Sequence, residues 1–107
     1  MASSKEFLDF VLDQLSPLEG VTYRPMMGEY LLYLRGKLIG GVYDDRLLLK
    51  PTEPAKRLIA ENGRTPETAI PYEGAKAMLA ADPDDRELLC RIAEATAAAL
   101  PEKKRKG

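Results

Sequence analysis

Apolar residues in this chain recur at helical spacing, then at strand spacing, then at helical spacing again, and turn residues mark each change. Phe7, Leu8, Val11, Leu12 and Leu15 share one broad helical face, with Lys5, Asp9 and Asp13 turned to water. Ser3, Ser4 and Glu6 read as a capping box in which the Ser3 hydroxyl accepts from the Glu6 N–H. Ser16-Pro17 stops that helix, because the residue before proline is pushed out of the helical region, and Gly20 turns the chain into a strand, Val21 to Arg24. Tyr30 to Leu34, Leu38 to Tyr43 and Arg46 to Lys50 follow as strands joined at Arg35-Gly36 and Asp44-Asp45, a meander. Gly40-Gly41 inside the third strand predicts a bulge or a close helix contact.

Helical spacing resumes after Pro51. Thr52 is placed to cap a second helix, Glu53 suits its positive end, Ala55, Leu58 and Ile59 form its buried stripe, and Asn62-Gly63 supplies a left-handed ending. Residues 64–74 read as a connection with a turn at 72–74, and 75–80 as one more strand. Asp82-Pro83-Asp84-Asp85 predicts a third helix with Asp82 as cap and Pro83 at its first position. Leu89, Ile92, Ala93, Thr96 and Leu100 then face the sheet, and Pro101 ends the helix. The expected fold is α+β, a two-layer antiparallel sheet with helices on one face in the order α-β-β-β-β-α-(β)-β-α. It forms one domain over residues 1–101, followed by a basic tail over 102–107 that has nothing apolar to bury and is expected to be disordered.

Composition narrows the function. Sixteen basic and seventeen acidic residues leave a formal charge of -1, so the domain lacks the general positive field that holds a polyanion non-specifically. No apolar run is long enough to span a bilayer, the N-terminus is amphipathic rather than continuously apolar, and Cys90 is the single cysteine. The expectation is a cytoplasmic protein with no membrane contact.

Zero histidines remove the commonest general base and metal ligand, and no cofactor-binding, metal or catalytic residue is assigned. The expectation is a non-enzymatic chain. Asp44/Asp45 and Asp84/Asp85 coincide with a turn and a helix start, which use aspartate for local hydrogen bonding. Gly36-Lys37 lacks the first glycine and the hydroxyl of a phosphate loop, since Leu31 and Leu38 stand in those places. What remains is surface. Tyr30 and Tyr33, with Tyr23 and Tyr43 nearby, are candidates for a partner-binding patch and equally for ordinary cross-strand packing; Arg24 and Lys50 are candidates for the same patch, but read first as solvated charges that protect the sheet edge. Lys103, Lys104, Arg105 and Lys106 are candidates for nucleic-acid contact, or a solubilising terminus. A small-ligand pocket between sheet and helices is a further alternative.

Arg24, Met26-Met27-Gly28, Tyr33, Gly36-Lys37 and Leu47-x-Leu49-Lys50, supported by Pro71-Tyr72 and the last amphipathic helix, stand in an order that resembles the TfoX N-terminal domain-like family. The resemblance runs from about Glu6 to about Leu100. It implies a two-layer α+β domain and a bacterial regulatory role, which the family's namesake exercises over competence genes. It implies no catalytic residue. Met27 stands where an aromatic is common in the family, residues 75–81 lack its usual aromatics, and the second domain of the namesake is not expected here.

Overall fold

The computed structural model describes residues 4–100. Its elements are α1 (Lys5–Gln14), β1 (Val21–Met26), β2 (Glu29–Leu34), β3 (Lys37–Tyr43), β4 (Arg46–Leu49), α2 (Glu53–Glu61), β5 (Thr68–Ala69), β6 (Met78–Ala80) and α3 (Arg86–Ala99). Two-residue turns make the front of the sheet. Met27-Gly28, Arg35-Gly36 and Asp44-Asp45 hold paired positive φ values of 52° and 87°, 50° and 85°, and 54° and 56°. Two left-handed residues in succession form the turn whose twist matches that of the strands it joins. The six strands lie in the order β1-β2-β3-β4-β6-β5, all neighbours antiparallel.

All three helices cover one face. Leu8 and Val11 of α1, Ala55 and Ile59 of α2 and Leu89, Ile92 and Ala93 of α3 join Leu32, Leu34, Val42, Leu47, Leu49 and Leu79 of the sheet in one buried cluster. Thr96, also fully buried on the α3 stripe, has a hydroxyl with no hydrogen-bond partner among the described residues. The meander, α2 with its Thr52 cap and Gly63 ending at φ 78°, and the helix-face stripe of α3 match the sequence expectations.

Some boundaries shift for local reasons. Ser4, not Ser3, accepts the first-turn N–H, from Phe7. The cap of α3 is Asp85, which accepts from Leu88, whereas Asp82 accepts from Asp84 in a turn one step earlier. Of two possible cap aspartates, the one nearer the apolar stripe starts the helix, and Arg64 ties both Asp82 and Asp85 down at 2.9 and 3.1 Å. The connection after α2 contains β5, which completes the sheet beyond β6. The predicted tail, 102–107, lies outside the described residues.

Gly40 and Gly41 are places of close approach, and the neighbour is the sheet itself rather than a helix. A Cβ at Gly40 would meet the Leu48 carbonyl and stand 2.7 Å from Leu49 Cα on β4. The register of β2 on β3 also shifts between Leu32 and Tyr33, so the predicted bulge is present beside them.

Candidate functional site

The register decides which side chains reach the face without helices. Residues paired across a sheet point the same way, so Val21, Tyr23 and Pro25 share the helix-covered face with Leu34, Leu32 and Tyr30. Thr22, Arg24 and Met26 share the other face with Tyr33, Leu31 and Glu29. Pairing on through β3 and β4 adds Leu38, Gly41, Tyr43, Arg46 and Leu48 to that outer face. Lys50 follows the core residue Leu49 and by alternation also belongs outside.

The candidate residues therefore divide. Arg24 and Tyr33 lie on neighbouring positions of the outer face, and Lys50 stands at the far end of β4 on the same side. Tyr30 is on the opposite face, packed against the core cluster, with the Tyr23 ring edge-on to it at 5.8 Å. Tyr43, noted from sequence only as a neighbour of the candidate tyrosines, is the anchor of the outer face. It is nearly buried, and its ring lies across Gly41, where a Cβ would come within 2.8 Å of Tyr43 Cε2. Burial, with Tyr72, Glu29 and Tyr33 around it, pushes the Tyr43 phenol above its ordinary value.

The segment after β5 folds over half of this face. Tyr72 stacks at a tilt on Tyr43 with ring centres 6.1 Å apart, Pro71 is buried, and Arg46 Nη2 donates to the Ile70 carbonyl at 3.2 Å. Ile70 and Tyr72 stay more than half exposed. The other half, Leu31, Tyr33 and Leu38, is half-buried apolar surface. Arg24 flanks it and Lys50 borders it, and neither is in an ion pair among the described residues. The patch is amphipathic, with an apolar centre and cations along its rim.

Gly36-Lys37 has a structural task that spacing alone does not reveal. Gly36 completes the β2–β3 turn, and Lys37 Nζ donates to the carbonyls of Ala97 and Leu100 at 2.9 and 3.1 Å, capping the negative end of α3. Cys90 Sγ faces the Gln14 carbonyl at 3.4 Å, and burial raises its thiol above the ordinary value, which keeps it protonated. A pocket of about 320 Å³ opens between α2, α3 and β6, with Ile59, Leu88, Ile92 and Arg64 in its lining. The Arg64 guanidinium is already held by Asp82 and Asp85, so the pocket offers no spare cation. Among the described residues no group of histidine, cysteine or carboxylate side chains could hold a metal ion, and no helix is long and apolar enough to cross a membrane.

Two comparisons bear on this geometry. The family model of the TfoX N-terminal domain matches residues 13–99. A protein of Spirochaeta aurantia, described as an uncharacterized 12.7 kDa protein in the trpE 5′ region, is 41% identical over 103 residues, which cover 94% of this chain and 86% of that one. The match takes in every strand, all of α2 and α3 and the open face, and the chain belongs to the TfoX N-terminal domain family.

Proposed function

We propose that this is a regulatory protein-interaction domain that acts through the open face of its sheet. The supporting observation is the half-buried apolar strip of Leu31, Tyr33 and Leu38 on a face that no helix covers, with Arg24 and Lys50 unpaired beside it. Family membership supports a regulatory module, and the absence of a catalytic constellation in the sequence gives the face no competing chemistry. The partner is a protein that brings an apolar patch with carboxylates at its rim, since that complements both the strip and its cations. Arg24 sets orientation and encounter rate, and Tyr33 provides the amphipathic contact at the centre.

The test uses tagged protein and lysate of its own host. A specific protein captured by the wild type should be lost on Tyr33→Ala and weakened on Arg24→Glu, with unchanged melting temperatures. A captured protein indifferent to both substitutions places binding elsewhere and overturns the reading.

A further inference from the structure

The outer edge of β1 carries backbone groups that the fold leaves unused. In a hairpin closed by two residues, the pair flanking the turn exchanges both hydrogen bonds, and bonded pairs then alternate along the ladder. Here that pair is Met26 and Glu29, so Arg24 and Thr22 are the next β1 residues bonded to β2. The Arg35 N–H donating to the Gly20 carbonyl at 2.7 Å continues the same series. Val21, Tyr23 and Pro25 therefore point their backbone groups away from the sheet. Pro25 has no N–H, so its place costs the ladder nothing, and it limits the free donors of this edge to Val21 and Tyr23.

Beside those donors lies a groove of about 530 Å³ lined by Leu12, Leu18, Val21 and Tyr23. Tyr23 is 38% exposed on this rim. An open ladder next to an apolar groove accepts an extended strand whose alternate side chains enter the groove.

We propose that the strand is β1 of a second copy of this chain, added antiparallel across a twofold axis at Thr22. In that register Val21 pairs with Tyr23 of the second copy and Tyr23 with its Val21, which satisfies every outward N–H of both edges. Pro25 falls outside the ladder. On the helix face each Tyr23 ring meets the other copy's Val21 and groove, an aromatic and β-branched pair, while Thr22 meets Thr22 on the outer face. The pairing sets Arg24 opposite Gly20 of the second copy, whose φ of 86° breaks the alternation of the strand and leaves the preceding Glu19 side chain able to turn toward Arg24. Both charges are exposed, and neither is in an ion pair among the described residues. The symmetry makes this complementary contact twice. The sheet becomes continuous across both copies, and two open faces are presented side by side. Arg24 serves both surfaces, so the two readings are told apart by Glu19→Arg, which lies off the open face, and by purified protein alone, which reports on the dimer without any partner.

Sedimentation from about 1 µM to about 500 µM should show monomer passing to dimer, since a short ladder with one aromatic anchor supports micromolar association. Hydrogen exchange over the same range should slow at the Val21 and Tyr23 amides, which are open in the monomer. Arg24→Glu or Glu19→Arg alone should raise the midpoint concentration roughly fivefold or more, and the two together should restore it. Both positions are exposed, so folding is undisturbed, as melting curves verify. Monomer at every concentration, a dimer whose Val21 and Tyr23 amides still exchange freely, or a dimer indifferent to the charge swap overturns the proposal.

Discussion

Gly40 has no side chain because β4 occupies the space that one would need. The neighbours are backbone atoms of Leu48 and Leu49, which cannot swing aside as a side-chain tip can. Gly40→Ala must therefore push β3 and β4 away from each other, and we expect it to cost about 2–4 kcal/mol, the range of severe overpacking, read as a fall in the urea midpoint with little change in slope. Gly41 is kept small for another reason: a Cβ there would come within 2.6 Å of the Tyr30 carbonyl oxygen and 2.8 Å of the Tyr43 ring. The sequence signalled a special site at this pair, since two glycines in a strand need explaining. It could not say whether a helix, a strand or a ring filled the gap, because that depends on which residue stands opposite.

At the level of elements, Lys37 couples the start of β3 to the end of α3. Its ammonium meets two carbonyls of the last turn, that of Leu100 and that of Ala97, which among the described residues otherwise accepts only a long 3.3 Å bond from the Leu100 N–H, at the end where the dipole favours a cation. Lys37→Met keeps the aliphatic stem and removes those bonds. It should lower stability by about 1–2 kcal/mol and speed amide exchange in the last turn of α3 while leaving α1 unchanged. Element identities were legible because each rests on local signals: the Thr52 cap, the turns at Arg35-Gly36 and Asp44-Asp45, and the periodicity of α3. The cap of α3 was less legible, since Asp82 and Asp85 both suit it and both are also held by Arg64, a long-range partner. The candidate surface was half legible for a similar reason. Four tyrosines in a meander announce an aromatic sheet, but the faces of Tyr30 and Tyr33 depend on strand length and register. The roles of Tyr43 and Tyr72 depend on a connection that crosses the sheet with no periodic signal at all.

Across the whole molecule, the absence of histidine removes the side chain that ordinarily titrates near neutrality, and the groups that burial shifts, Tyr43 and Cys90, titrate on the alkaline side. Burial raises Tyr43 above 10.0 and Cys90 above 9.0. In both cases the folded state favours the protonated form. The stability each contributes is present in full below its ordinary value and is lost as pH rises through the higher folded value. Lys5 acts in the same direction, raised above 10.5 chiefly by its hydrogen bond to Asp9, but it is fully exposed and its pairing is screened by salt. The urea midpoint should hold steady from neutrality to about pH 9 and fall steadily above it, with the fall largely persisting in high salt because burial, not a surface ion pair, is the first cause of both shifts. Tyr43→Phe keeps the ring over Gly41 and removes the ionising group. It should flatten the descent above pH 10, and an equally steep descent in that variant would mean that the outer face is not anchored by a buried, neutral Tyr43.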